Sequence, residues 1–139
     1  MAIVIPDDQT LKEILQTKKR IAVVGLSDKP ERTSYQIAKY MLEHGYDIIP
    51  VNPTVESVFG IKAASSLREI GGHVDIVNVF RRPEFLLETA KDAVAIGADV
   101  YWAQLGLFDE KAYDFLRGHG MTVVMDRCIK VEYQRLLGE

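Results

Sequence analysis

The chain has one cysteine, Cys128, which excludes an internal disulfide and a multi-cysteine metal site. Its three histidines, His44, His73 and His119, each sit beside a glycine, and none has the spacing of a metal ligand. No catalytic triad, metal motif or P-loop is present. No run approaches the roughly 20 apolar residues of a membrane span. The first eight residues, Met-Ala-Ile-Val-Ile-Pro-Asp-Asp, lack the basic and apolar regions of a secretory signal. Positive charge is not in excess: 17 Lys and Arg face 20 Asp and Glu, a net charge of −3. That balance excludes a general nucleic-acid-binding surface and leaves room for a local basic pocket. Repeats, low-complexity stretches and linkers are also missing.

What is there is ordinary for a globular protein, 47% hydrophobic and 27% charged over 139 residues. The length implies one domain, 1–139, with a sizeable core. One cysteine and no export signal fit a cytosolic protein in a reducing compartment.

The pattern is organised around residues 19–35. The apolar run Ile21 to Val24 stops at Gly25, a polar loop follows, and a helical pattern begins near Thr33 or Ser34. Strand, glycine turn and helix start is the layout that holds a phosphate on backbone N–H groups. It is not the dinucleotide fingerprint, because Ser27 and Pro30 stand where the second and third glycines belong. Along the rest of the chain, strands are expected at 46–51, 74–80, 99–103 and 121–125. Helices are expected at 9–17, 34–44, 83–96, 109–117 and 129–137. A short helix over 66–70 and an edge strand or irregular connection over 58–61 complete the reading. The first strand is apolar on consecutive residues, as in a parallel sheet covered on both faces. Alternating strands and helices predict an α/β fold, a three-layer Rossmann-like domain with a mostly parallel five-stranded sheet. If the strand order is 3-2-1-4-5, ligands bind in the crevice between the first strand and the strand ending at Phe80.

Four segments would border that crevice. In the first, Gly25 permits a tight turn and close approach of a ligand. Ser27 offers a hydroxyl, Arg32 a bidentate phosphate contact, and Thr33, Ser34 and Tyr35 further donors at the helix start. A plain strand-to-helix connection capped by Ser34 is the alternative. In the second, Val51-Asn52-Pro53 ends the strand without the carboxylate that nicotinamide enzymes place there for the ribose. In the third, Phe80 supplies an apolar wall, and Arg81 or Arg82 can stack on adenine or pair with phosphate. The fourth is Ala103 to Leu105. Cys128, before the last helix, reads as a small, partly buried residue rather than a reactive thiol.

Five stretches, 23–35, 49–53, 74–84, 100–106 and 124–129, taken together resemble the small stand-alone CoA-binding proteins. These in turn are similar to the N-terminal CoA-binding domain of the succinyl-CoA synthetase α-subunit. The resemblance covers nearly the whole chain and implies a Rossmann-like fold holding coenzyme A or an acyl-CoA. It assigns the phosphates to Gly25, Ser27 and Arg32 and the adenosine pocket to Val51, Asn52 and Pro53. Phe80, Arg81 and Arg82 would close the pocket, with the pantetheine arm leaving past Ala103 and Gln104. Leu26, Asp28 and Pro30 stand where the synthetase loop is richer in glycine, so Leu26 joins the phosphate loop in a changed form. The synthetase's second domain, with its phosphorylated histidine, has no counterpart here, so no ligase activity carries over. The expected partner is thus a small CoA ligand, with a homo-oligomer or an acyl-CoA enzyme as further possibilities. A minimal nicotinamide-dependent oxidoreductase is the competing reading.

Overall fold

The computed structural model describes residues 3–138. Met1, Ala2 and Glu139, the ends of the expected 1–139 span, lie outside the described residues.

The chain opens with α1 (Asp8–Thr17), whose N-cap Asp7 accepts a hydrogen bond from the Thr10 N–H, and which buries Leu11, Ile14 and Leu15. The central strand β1 (Arg20–Val24) follows, then α2 (Thr33–Glu43) and β2 (Asp47–Val51). A small hairpin comes next, β3 (Ser57–Val58) and β4 (Ile61–Lys62). The remaining elements are β5 (Ile76–Val79), α3 (Leu86–Ala95), β6 (Val100–Ala103), α4 (Glu110–Gly118), β7 (Thr122–Val124) and α5 (Ile129–Leu137). Short 3-10 turns at Leu67–Glu69 and Pro83–Phe85 replace the predicted helix at 66–70 and the first turn of the predicted helix at 83–96.

The main sheet is five-stranded and parallel throughout, in the order β2-β1-β5-β6-β7. The chain moves outward from β1 to β2, then crosses back to β5 on the other side of β1. The order reverses between β1 and β5, where the sequence places the crevice. The expected third strand does not extend the sheet beyond β2. Phe59 and Gly60 both have positive φ, 56° and 74°, the geometry of a two-residue hairpin turn, so β3 and β4 pair with each other. Only Ala64 reaches β2, through an isolated parallel bridge to Val51.

Consecutive residues along each strand face opposite sides, and both sides are covered. Ala22, Val24, Val77, Val79, Tyr101 and Ala103 pack with α3 and α4 on one face. Ile21, Val23, Ile76, Val100 and Trp102 pack with α1, α2 and α5 on the other. Tyr101 and Trp102 are both fully buried. Each finds a backbone acceptor: the Tyr101 hydroxyl donates to the Leu86 carbonyl, and Trp102 Nε1 donates to the Arg127 carbonyl. In α5 it is Ile129 and Glu132 that are buried, while Val131 is half exposed. Glu132 is tolerated there because Arg135 pairs with it at 2.7 Å. Among the described residues no helix is long and apolar enough to cross a membrane.

The amino ends of the strands carry an ion-paired clasp. Lys18 Nζ donates to Asp99 at 2.9 Å, and His73 Nε2 lies 3.0 Å from the same carboxylate. The neighbouring Asp75 carboxylate accepts the backbone N–H groups of Lys19 and Arg20. Burial alone would raise the Asp99 carboxyl, but the hydrogen bonds from His73 and Lys18 outweigh it and hold it below the usual range. A carboxyl depressed by folding stabilises the fold above its unfolded value of about 3.9 and loses that contribution as the pH falls through the folded value. Urea midpoints measured from pH 6 to pH 3 are therefore expected to fall more steeply for the wild type than for Asp99→Asn. Parallel profiles would show that the clasp adds no pH-dependent stability.

Candidate functional site at the carboxyl ends of the strands

The site is built around Gly25, the first residue after β1. Its φ is +87°, and a Cβ there would lie 2.5 Å from the Phe80 carbonyl oxygen. The glycine is thus required first by the meeting of two strand ends. Gly25 N donates to the Val51 carbonyl at 2.8 Å, and Phe80 N donates to the Val24 carbonyl at 2.9 Å. Three of the four expected segments are locked together at this point.

Beyond Gly25 the loop is organised by its hydroxyls. The Ser27 N–H donates to Ser34 Oγ at 3.1 Å, and the Lys29 N–H donates to Ser27 Oγ at 3.0 Å. Ser34 is buried and sits inside α2, so it braces the loop rather than capping the helix. The N-cap is Arg32, which makes no side-chain cap bond. The N–H groups of Thr33, Ser34 and Tyr35 have no carbonyl one turn back in the helix, so they point their donors out of its end. Arg32 itself is exposed. Leu26 is fully buried in the core, so only its backbone belongs to the loop surface. Its carbonyl accepts from Asn52 Nδ2 at 3.1 Å, tying the first segment to the second. The Asn52 side-chain oxygen accepts from the backbone N–H and hydroxyl of Thr54, which closes the turn after β2. Losing the Ser34 hydroxyl leaves a half-buried N–H without a partner. Ser34→Ala is expected to lower stability by about 1 kcal/mol, read from urea denaturation. An unchanged midpoint would show that the loop does not depend on this bond.

A cleft of about 410 Å³ opens beside Gly25, on the face covered by α3. That is within the range of small-ligand sites, about 300–1,000 Å³. Val24, Gly25, Val51, Asn52, Pro53 and Arg81 line it from the strand ends. Ser65, Ser66 and Leu67 form one flank, and Glu88, Thr89 and Asp92 of α3 form the other. Arg81 Nη1 lies 3.1 Å from Glu88 and 3.4 Å from Thr89 Oγ1, with its guanidinium carbon 4.4 Å from the Phe85 ring centre. Arg68 pairs with Asp92 at 2.7 Å. The cleft wall therefore carries carboxylates that are already matched by arginines.

The structure thus places Gly25, Val51, Asn52, Pro53 and Arg81 on one cleft. Ser27, Arg32 and Ser34 lie at the adjoining helix start. Arg82 points away, with its side chain 76% exposed and 3.5 Å from Glu84. Phe80 is half buried and packs against the α2 side. Gln104 follows β6 and is buried on that same side. Cys128 is a half-buried free thiol at the N-cap of α5, as its position suggested. The sequence reading missed the α3 wall. Residues one and two turns beyond Arg81 on the following helix were the signal for it, since that helix must pack over the crevice. Ser65 and Ser66 had no such signal, because their connection has no regular pattern. The three groups spaced to hold a cation among the described residues, His73, Asp75 and Asp99, lie at the other end of the sheet, where Lys18 already occupies Asp99.

Known proteins share this arrangement. A protein of Bacillus subtilis (strain 168), uncharacterized protein YneT, is 56% identical over 128 residues, which is 92% of this chain and 95% of that one. The crystal structure of a hypothetical protein from Pyrococcus horikoshii OT3 matches with a TM-score of 0.93 at 38% identity, covering 99% of this chain and 100% of that one. The α-subunit of the ADP-forming acetate–CoA ligase II of Pyrococcus furiosus is 37% identical over 122 residues. That match covers 80% of this chain and only 27% of the subunit. The family model described as a CoA binding domain matches residues 19–134, which takes in every strand of the main sheet. The chain belongs to this CoA-binding domain family.

Proposed function

We propose that the chain binds coenzyme A or an acyl-CoA across the carboxyl ends of β2, β1, β5 and β6, as a binding module without chemistry of its own. The observation that carries this reading is the continuity of two features around Gly25. An apolar-walled cleft with a positively charged edge lies on one side, and the donor-rich start of α2 lies on the other. A nucleotide with a bulky base and several phosphates needs both. The adenosine enters the cleft between Val51, Asn52, Pro53 and Arg81. The diphosphate meets the loop amides from Gly25 and Leu26 onward, the Ser27 and Ser34 hydroxyls, which still have protons to donate, and the Arg32 guanidinium. Arg82 stands at the rim, and the arm runs past Phe80 toward Gln104. The chain spans about a quarter of the Pyrococcus furiosus subunit it matches. A partner chain that supplies acyl-CoA chemistry, or a second copy of this chain, is compatible with the same site.

The nicotinamide reading has one observation in its favour. Glu88 and Asp92 put carboxylates on the cleft wall, although from α3 and not from the end of β2. Fluorescence titration separates the two readings. Added protein is expected to leave NADH fluorescence unchanged, or to change it in a way that CoA abolishes. A saturable NADH signal that CoA does not displace would favour the oxidoreductase.

A further inference from the structure

Gln104 Oε1 is the one buried side-chain polar atom without a hydrogen-bond partner among the described residues, and the residue is only 7% exposed. An amide oxygen left alone in an interior is costly, and native structures seldom keep one without a reason. Its place in the fold is specific. Gln104 directly follows β6, and its N–H donates to the Val79 carbonyl at 3.2 Å. The register Val79↔Ala103 puts it opposite Phe80, whose carbonyl in turn abuts Gly25. Gly25, Phe80 and Gln104 therefore form a row across three neighbouring strand ends, about 10 Å long at the usual strand spacing. Side chains alternate along β6: Ala103 faces α3 and α4, whereas Trp102 faces α1, α2 and α5. Gln104 shares the face of Trp102. It is thus on the opposite side of the Gly25–Phe80 junction from the cleft. The turn beside it is also under constraint. Asp126 adopts φ +61°, and its carboxylate accepts the Gly106 N–H at 2.7 Å.

We propose that Gln104 Oε1 is the acceptor that reads an N–H donor on the far arm of the ligand, one of the two pantetheine amides. The inference rests on the CoA reading above and deepens it. A ligand whose base fills the cleft and whose phosphates cap α2 has to cross the row at Gly25 and Phe80. The next polar group it meets without a partner is Gln104. An amide N–H satisfies that oxygen, while the Nε2 group remains free to donate to the next carbonyl of the arm. The thiol at the end of the arm is the other possible donor, and the test separates the two.

The test uses the full chain, wild type and Gln104→Leu, which keeps most of the volume and removes the acceptor. Three probes are titrated: adenosine 3′,5′-bisphosphate, which has no arm, CoA, and desulfo-CoA, which has both amides and no thiol. Gln104→Leu is expected to weaken CoA and desulfo-CoA about three- to ten-fold and to leave the bisphosphate unchanged. The ligand-free variant is expected to melt several degrees higher than the wild type, because a buried unmatched oxygen has gone. A merely structural role would lower the melting point and shift all three probes alike, and that result overturns the proposal. Loss of CoA affinity with desulfo-CoA unaffected overturns the amide assignment in favour of the thiol. If the wild type binds none of the probes, the CoA reading itself fails and this proposal with it. Retained binding with an unchanged ratio of CoA to bisphosphate affinity overturns the proposal alone.

Discussion

Gly25→Ala is expected to cost about 3–4 kcal/mol of stability, with the melting temperature falling by roughly 10 °C or more. Two terms add. An L-residue held at positive φ is strained by about 1–2 kcal/mol. A Cβ 2.5 Å from the Phe80 carbonyl oxygen also forces the ends of β1 and β5 apart, because the obstacle is backbone and cannot swing away. That separation threatens the Phe80 N–H bond to Val24 and the Gly25 N–H bond to Val51, each worth about 0.5–1.5 kcal/mol. Such a loss is a large share of the ~5–15 kcal/mol that holds an ordinary domain together. Gly45→Ala is the control. Gly45 has φ +94°, but a Cβ there meets nothing within 4 Å, so only the backbone term applies. Urea denaturation of both variants is expected to show Gly25→Ala as the clearly weaker protein. Equal losses would mean that the strand ends separate at no cost.

Arg32→Ala is expected to weaken CoA ten-fold or more while leaving the unfolding midpoint within error of the wild type. The stability half follows from the structure. Arg32 is exposed, supplies no side-chain cap to α2 and forms no ion pair among the described residues. The binding half follows from charge. A guanidinium facing a diphosphate at a helix start makes a charge-assisted contact worth about 1.5–3 kcal/mol, which is about ten-fold or more in affinity. Raising the salt concentration is expected to narrow the gap between variant and wild type, since an exposed contact is screened within about 10 Å at 0.1 M. Arg82→Ala is the useful comparison, because Arg82 already has Glu84 beside it and points away from the cleft. If Arg32→Ala binds CoA as the wild type does, Arg32 is a solvated loop residue and the phosphate assignment is wrong.

Much of the fold was legible because it rests on local patterns. Ile21 to Val24 and Ile76 to Val79 are apolar on consecutive residues, which only a strand covered on both faces tolerates. Asp7, Asp109 and the glycines after the helices marked ends that the structure reproduces within a residue or two. The 57–62 segment was not legible, since whether it joins the sheet depends on Phe59 taking a left-handed conformation, which no pattern announces. The site divides in the same way. Gly25, Val51, Asn52, Pro53 and Arg81 could be placed together because they end neighbouring parallel strands. The sequence did not show that Leu26 turns into the core, or that Asn52 spends its amide on Leu26 and Thr54. Nor did it show that Gln104 is buried with an unmatched oxygen. Those facts depend on three-dimensional neighbours far apart in the chain. Glu88 and Asp92 belong to the same class, because their role depends on how α3 lies over β1 and β5.

The central claim is that the carboxyl ends of these strands form one continuous CoA site, and calorimetric titration of the full chain with CoA tests it most directly. The account predicts a saturable isotherm that Arg32→Ala weakens at least ten-fold, together with a rise in melting temperature on adding CoA. No heat and no thermal shift at millimolar CoA would contradict it.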